Sequence, residues 1–469
     1  MTDATGIARL QDKMLEAFHH LASKEVDELF RAAASSAVEK GFTYMRHGGI
    51  VQAINLMLVP SFVTGAQAEY LTKVSLAIKR SVEAVYRAWF IDHALSTLLP
   101  FNETEEEWIR GLRRESPASE PLWYRLDGHF HMKDALWKDR ISFFEINSCA
   151  VGGIHYSPTA DSLFMDSILP VLRGHLQRLP QLRKNPDLRE MLRELVVRHS
   201  SALGRKAHTL AFVEDSTLTE GITEGLYIVD YLQSSGLNAV LADPRELYIK
   251  DNEIYFKNTV IDIVYRNFEL SDLMEIDAAG DDVSAVKCAF QENRVISSLL
   301  GDFDHKSMWE ALTSGAFDRY FSAEDAVLLK KHLLWTRVVK ERKTIGPEGL
   351  EVDLLPFALK NREALVLKPN RLCGGSGVTI GMTTGEGEWE ALLNEALSEE
   401  SGSVLQKYCP PERYVFPLFE NGSLAFEEHN IVYGLSSTPL GSGLLGRVSM
   451  EGVVNVAQQG GLMPVLRID

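Results

Sequence analysis

Between His208 and Asp243 the chain reads strand, helix, strand, and that order limits the fold more than any other stretch. "HTLAFVED" is an apolar run, "LTEGITEGLYIVDYLQSSG" has helical spacing and ends at Gly236, and "NAVLAD" is a second short strand. Two strands joined this way pair in parallel through a right-handed crossover, the unit of a small Rossmann-like domain. A hairpin, "ELYIKDNEIYFKN", and a further strand, "VIDIVYRNF", follow. No GxGxxG follows the first strand, so dinucleotide binding finds no support.

Around this unit the texture changes three times. Residues 1–115 form a mainly helical region, with apolar spacing near 3.6 in "ARLQDKMLEAFHHLASKEVDELFRAAASSAVEKG" and again from Ala66 to Leu99. Asn102 or Thr104 caps a further helix whose first turn is acidic. Residues 116–200 open with "LWYRLDGHFHM" and "DRISFFEINS", aromatic alternating runs expected to pair antiparallel. Two helices follow, the second with Asn185 as cap and Pro186 at its first position. Residues 201–295 hold the strand–helix–strand unit. Residues 296–469 are α+β. There "SAEDAVLLKKHLLWTRVV" is expected as a helix, "EALVLKP" and "SVLQKYCP" as strands, and the last stretch as strands alternating with glycine turns.

The chain has 469 residues, 45% of them hydrophobic, enough for two or three domains and a large core. Its net charge of −17 disfavours nonspecific binding to nucleic acid or anionic membranes. Cys149, Cys288, Cys373 and Cys409 are scattered, with no CxxC pair, and read as free thiols in a reducing compartment. The opening stretch shows no secretory leader. The most apolar segment is interrupted by Gln52, Asn55 and Pro60 and is too broken to span a bilayer. The expected location is cytoplasmic.

Chemistry concentrates in four places. In "LVLKPNRLCGGSGVTIG" an apolar strand ends on Lys368, and Gly374, Gly375, Ser376 and Gly377 follow. Such a turn lets backbone N–H groups approach a phosphate while the lysine supplies charge; a plain β-hairpin needing glycine is the alternative. In "FFEIN", Glu145 and Asn147 share one face of a strand, and Asp127, with Arg125 beside it, joins them if the preceding strand is the antiparallel neighbour. Oxygen donors of this kind suit Mg²⁺; a solvated sheet edge is the alternative. Gln406, Lys407 and Tyr408 leave a strand before Pro410 and Pro411, where backbone groups can read an adenine edge or form a solvated linker. Arg447 lies among Gly441, Gly443 and Gly446, placed to fork onto a carboxylate or phosphate or to sit on a hairpin surface. Asn455, Gln458 and Gln459 precede the closing glycine pair.

Lys306, just before a helix, reads from its surroundings as an ordinary surface lysine. His129 and His131 flank Phe130 and would share a strand face, but no third ligand has zinc spacing. HExxH, GxSxG and GxxxxGK[ST] are absent.

The order of these pieces resembles the ATP-grasp ligases, in the circularly permuted branch similar to glutathionylspermidine synthase. "YRLDGHFHM" and "ISFFEIN" resemble that family's Arg-x-Asp and Glu-x-Asn strands. "LLGDFDHKSMWEAL" and "LVLKPNRLCGGSGVTIG" resemble its two lysine segments, "VLQKY" its adenine hinge, and "LLGRVSMEGVVNVAQQGG" its closing strands. The resemblance covers residues 120–469. Permutation shows in the order: the carboxylates precede the lysines. After Asn147 the chain departs from the family's turns and reads "SCAVGGIHYSP", so the substrate does not carry over. No cysteine-amidase domain of that family is recognisable in the sequence, and the resemblance does not extend to the N-terminal 115 residues.

The resemblance implies a mixed α+β and α/β fold, a circularly permuted ATP-grasp core with a Rossmann-like domain and an N-terminal helical region. It implies ATP and Mg²⁺ as cofactors: Lys306, Lys368 and the 374–377 loop on phosphates, Gln406–Tyr408 at the base, and Asp127, Glu145 and Asn147 on the metal. Arg447 and Arg125 would neutralise the phosphoryl group in flight while a carboxylate, small or peptide-borne, becomes an acyl phosphate and then an amide with an amine. A homodimer is compatible with this. Two other readings stay open: a noncatalytic nucleotide-binding scaffold docking partners through its N-terminal helices, and a small-molecule kinase.

Overall fold

In the computed structural model, described for residues 4–114, 121–176, 178–372, 374–399, 402–420, 422–450 and 460–468, the chain is a mixed α/β protein with several separate sheets. The helices Ala4–His19 and Ser23–Glu39 turn Ile7, Leu10, Met14 and Phe18, then Val26, Leu29, Ala33 and Ala37, inward at the spacing of one helix face. Helicity then breaks: Thr43–Arg46 and Ile50–Ala53 pair antiparallel, and Asn55–Leu56 and Ser61–Thr64 are strands too. The mainly helical expectation for residues 1–115 missed these, although the segment carries β-branched Thr43, Ile50, Val51, Ile54, Val59, Val63 and Thr64. Thr64 caps the 25-residue helix Gly65–Trp89, with Gln67 closing a capping box. Asn102 rather than Thr104 caps Glu103–Leu112.

A seven-stranded sheet forms the centre. Its order is Asn55–Leu56, Gly461–Met463, Gly441–Ser449, Ser423–Thr438, Arg125–His129 and Ser142–Asn147, with Glu412–Glu420 pairing the first part of Ser423–Thr438. Arg125–His129 and Ser142–Asn147 pair antiparallel, as expected, with a register shift at Asp127/Gly128. Strands from early and late in the chain therefore lie side by side, and Gly434 stands opposite Asp127. A Cβ on Gly434 would fall 2.7 Å from Arg125 Cδ, so glycine is required where that arginine crosses the strand. Gly443 and Gly446 likewise lie within a long hairpin strand, not in turns as the alternating pattern suggested.

Two smaller sheets flank it. Ala239–Ala242, Leu210–Val213, Ile263–Arg266 and Val295–Ile296 pair in parallel in that order, with the helix Gly225–Ser234 between the first two strands in sequence. Thr336–Val338, Ser403–Lys407, Leu365–Pro369 and Thr379–Ile380 form an antiparallel sheet. It packs Leu365, Leu367 and Leu405 on Leu354 and Ala358 of one helix and Trp389 and Leu393 of another. The helix expected through Val339 ends at His332, because β-branched Thr336 and Val338 pair with the Ser403–Lys407 strand. Asp187, not Asn185, caps Leu188–Ala202; Asn185 instead bonds the Val465 carbonyl and Arg467, tying the chain end to this turn. Among the described residues no helix is long and apolar enough to cross a membrane.

Candidate functional site

Where the central sheet meets the 336–407 sheet there is a cleft of about 200 Å³. Arg125, Asp127, Glu145, Asn147 and Arg447 line it from the central sheet. Lys368, Gly374, Gly375, Gln406, Lys407 and Tyr408 line it from the other. Residues more than 200 positions apart thus share one cavity. Ser376 and Gly377 belong to the same turn but do not line the cleft. Asn455, Gln458, Gln459 and Cys373 lie outside the described residues.

Alternation puts Arg125 and Asp127 on the cleft face of one strand, and register puts Glu145 opposite Asp127 and Asn147 opposite Arg125. Asp127 is 1% exposed and accepts from Arg125 (2.9 and 3.2 Å), Arg447 (2.7 Å) and the Asn147 amide (2.9 Å). Burial pushes its carboxyl up, but Arg125 and then Arg447 outweigh that and hold it below the usual range. Arg125 also donates 2.8 Å to the Gly152 carbonyl, in the turn that follows Asn147. Arg447 sits within a strand, not on a hairpin surface; its Nε is buried with no partner among the described residues. Burial, and after it the charge of Arg125, lowers its pKa.

Lys306 corrects the surface reading. It is 7% exposed, its Nζ is 3.2 Å from Glu145 Oε1, and it donates 2.5 Å to the Leu372 carbonyl. Asn370 anchors it, accepting Lys306 N–H on its carbonyl and Ser307 N–H on its side chain. A lysine before a helix looks solvated in sequence; here the turn after Lys368 folds over it.

Lys368 is 8% exposed. Its Nζ donates 2.7 Å to Gln406 Oε1 and lies 4.8 Å from the Phe144 ring. No carboxylate pairs with it among the described residues, and burial lowers its pKa to about 8, with Lys306 adding to the drop against the pull of Glu145. The Gln406 side chain is fixed by the Phe144 carbonyl (3.0 Å) and Thr336 Oγ1 (2.9 Å), so it orients the lysine. The N–H groups of Lys407 and Tyr408 go to Trp335 O and Ala364 O, both 2.8 Å. A base edge here would be met by carbonyl oxygens and by the backbone beyond Tyr408.

The glycine turn closes a β-hairpin, one of the two readings the sequence allowed. Leu365–Pro369 and Thr379–Ile380 form an antiparallel hairpin, and Gly374, Gly375 and Gly377 take φ of +65°, +76° and +69°. Those left-handed angles favour glycine, and a Cβ on Gly377 would fall 2.7 Å from Pro369 Cγ.

Sequence reasoning missed His129, Phe144 and Glu224. His129 lines the cleft, 6% exposed; His131 takes φ +42° past the strand end, so the two do not share a strand face as expected. Glu224 is 1% exposed and accepts from Gly153, His155 and Tyr156 N–H (2.7, 2.8 and 2.7 Å), pinning the turn that holds Arg125. Burial raises its pKa to about 7 against those three bonds. Nothing in its local pattern marks it. Phe144 was legible as the neighbour of Glu145. Among the described residues no three His, Cys, Asp or Glu side chains converge as a metal cluster; the donor set here includes an amide.

No family model matches the chain. Uncharacterised proteins of Mycobacterium bovis and Mycobacterium tuberculosis are 24% identical over 261 residues, covering 52% of this chain and 44% of theirs. The chain thus spans less than half the length of these curated relatives. A glutathione synthetase-like effector from Globodera pallida, solved in apoform, superposes with a TM-score of 0.64 at 12% identity, over 95% of this chain and 98% of that one. The two share a fold. A RimK domain protein ATP-grasp from Sphaerobacter thermophilus overlaps 53% of this chain and 91% of its own at 15% identity. D-alanyl-alanine synthetase A from Vibrio cholerae overlaps 48% and 66% at 10%. Both have a TM-score of 0.26, too low to bear on the fold.

Proposed function

We propose that the chain is a Mg-ATP-dependent carboxylate–amine ligase on a circularly permuted ATP-grasp core, with the parallel sheet as its Rossmann-like domain. The observation that carries this is Lys368: a buried ammonium held by an amide oxygen, with no carboxylate paired to it among the described residues, facing a cleft rimmed by glycine turns. A buried cation without a paired anion is costly, and a polyphosphate removes the cost. Lys306 and Arg447 add charge beside it, and the fold shared with a protein described as glutathione synthetase-like supports the same reading.

The donors fit a hard cation by type: the Glu145 carboxylate, the Asn147 carbonyl and Asp127, all oxygen. Asp127 already accepts from two guanidinia, so Glu145 and Asn147 are the readier ligands. A bound Mg²⁺ would offset charge on the β- and γ-phosphates. The chain's own residues do the rest. Lys306 and Lys368 hold the phosphates, and the 374–377 turn screens them from water. Arg447, freed from Asp127 as phosphate arrives, turns a guanidinium toward the transferring group, while Arg125 stays fixed between Asp127 and Gly152. A carboxylate oxygen takes the γ-phosphoryl group, ADP leaves, and an amine displaces phosphate from the acyl phosphate to give the amide. Positioning and charge supply the acceleration.

The scaffold alternative loses ground because the apolar faces of Ala4–His19, Ser23–Glu39 and Gly65–Trp89 are buried within the molecule. An ADP-release assay across mixed carboxylates and amines, with hydroxylamine present, tests the reading. Hydroxamate with ADP is expected. ADP with a phosphorylated hydroxyl and no hydroxamate would indicate a kinase, and nucleotide binding without ADP a scaffold.

A further inference from the structure

The strand Arg125–His129 runs along the floor of the cleft, and Arg125, Asp127 and His129 all line it. The strand therefore orders the cleft. Arg125 touches the Gly152 turn at one end, and Asp127 meets Arg447 in the middle, with Glu145 and Lys306 across from it. His129 stands opposite Ser142, whose Oγ lies 3.4 Å from Cys409 Sγ, at the strand exit of the other sheet. At about 3.3 Å rise per residue, alternate side chains are about 7 Å apart along this axis. The phosphate-binding cations gather around Asp127. One step further, toward an apolar wall that includes Pro411 and Val432, is His129.

His129 is buried, its ring 5.1 Å from that of Phe144, and its Nδ1 has no hydrogen-bond partner among the described residues. The Ile431 backbone lies beside the ring. Leaving a buried polar atom unpaired is unfavourable, and among the described residues no side chain relieves it. An imidazole nitrogen pairs with a hydroxyl as donor or acceptor. Resting on the nucleotide reading above, we propose that His129 hydrogen-bonds a ribose hydroxyl of the bound nucleotide and so makes the site select ribonucleotides over deoxyribonucleotides. The alternative is that the ring only packs on Phe144.

Calorimetric titration of the full chain with ATP, 2′-deoxy-ATP, 3′-deoxy-ATP and ITP, each with Mg²⁺, tests this on wild type, His129→Phe and His129→Asn. His129→Phe keeps an aromatic ring against Phe144; His129→Asn keeps a polar group. The expected result is that wild type binds ATP about tenfold more tightly than one of the deoxy analogues, as for one lost hydrogen bond. His129→Phe should then bind both alike, with His129→Asn between. Equal wild-type affinity for ATP and both deoxy analogues overturns the proposal even if neither variant folds, as does a preference fully retained in His129→Phe. If His129→Phe instead erases only a preference for ATP over ITP, the ring reads the base and the hydroxyl assignment falls. Failure of wild type to bind any of the four removes the nucleotide reading itself.

Discussion

At the scale of single residues, Lys368 and Glu145 carry opposite expectations. Lys368 holds a pKa of about 8 because burial disfavours its charge. The unfolded lysine titrates near 10.4, so between about pH 8 and 10.4 the unfolded chain binds more protons and stability rises with pH; below pH 8 the full penalty is present. That penalty is about 3 kcal/mol. Lys368→Met removes it but leaves Gln406 Oε1 unpaired at about 1–2 kcal/mol. The ligand-free variant should thus be more stable by about 1 kcal/mol in a pH 7 melt, with the gain gone by pH 10. It should also lose the stabilisation that ATP gives wild type. In wild type, ATP affinity should fall as pH rises through 8 and the ammonium deprotonates. Glu145→Gln should lower ADP formation more than about 100-fold, with Mg²⁺ titration of the nucleotide complex flattened. Wild-type turnover in that variant would remove Glu145 from the metal.

At the scale of elements, the site is built by strand register, and that explains what could be read in advance. Glu145, Asn147, Asp127 and Lys368 were legible because a strand has period two and a charged residue closing an apolar run is conspicuous. Gly434 was not: its role exists only because it falls opposite Asp127 from a strand 300 residues away, where Arg125 needs the space. Gly434→Ala should push Arg125 off Asp127 and slow turnover about 10-fold or more, with a modest fall in melting temperature. Steady-state ADP release beside a thermal melt reads both effects. Lys306 looks solvated in its local sequence for a related reason: its burial comes from Asn370 and Leu372, contacts invisible in its own neighbourhood. Glu224 is the extreme case, a carboxylate whose three partners are all backbone N–H groups.

At the scale of the whole molecule, what local pattern showed was the alternation of helical and strand-rich regions; closure between distant segments it could not show. Asn55–Leu56 pairs Gly461–Met463 and Ser61–Thr64 pairs Val465–Ile468, so the N-terminal region completes sheets begun at the other end of the chain. Deleting residues through Thr64 should uncover two strand edges and part of the core, giving a chain that aggregates or melts at least 10 °C lower, about the loss expected for several kcal/mol. A deletion that left the melt unchanged would make that region a detachable appendage. The same long-range closure brings Glu145 and Lys368 into one cavity, and the account depends on a nucleotide bridging them. A crystal structure of the chain with Mg²⁺ and a nonhydrolysable ATP analogue measures this directly. The account predicts terminal phosphates within hydrogen-bond reach of Lys306 and Lys368, and the ion about 2 Å from oxygens of Glu145 and Asn147. An analogue bound elsewhere, or phosphates that meet neither lysine, would contradict it.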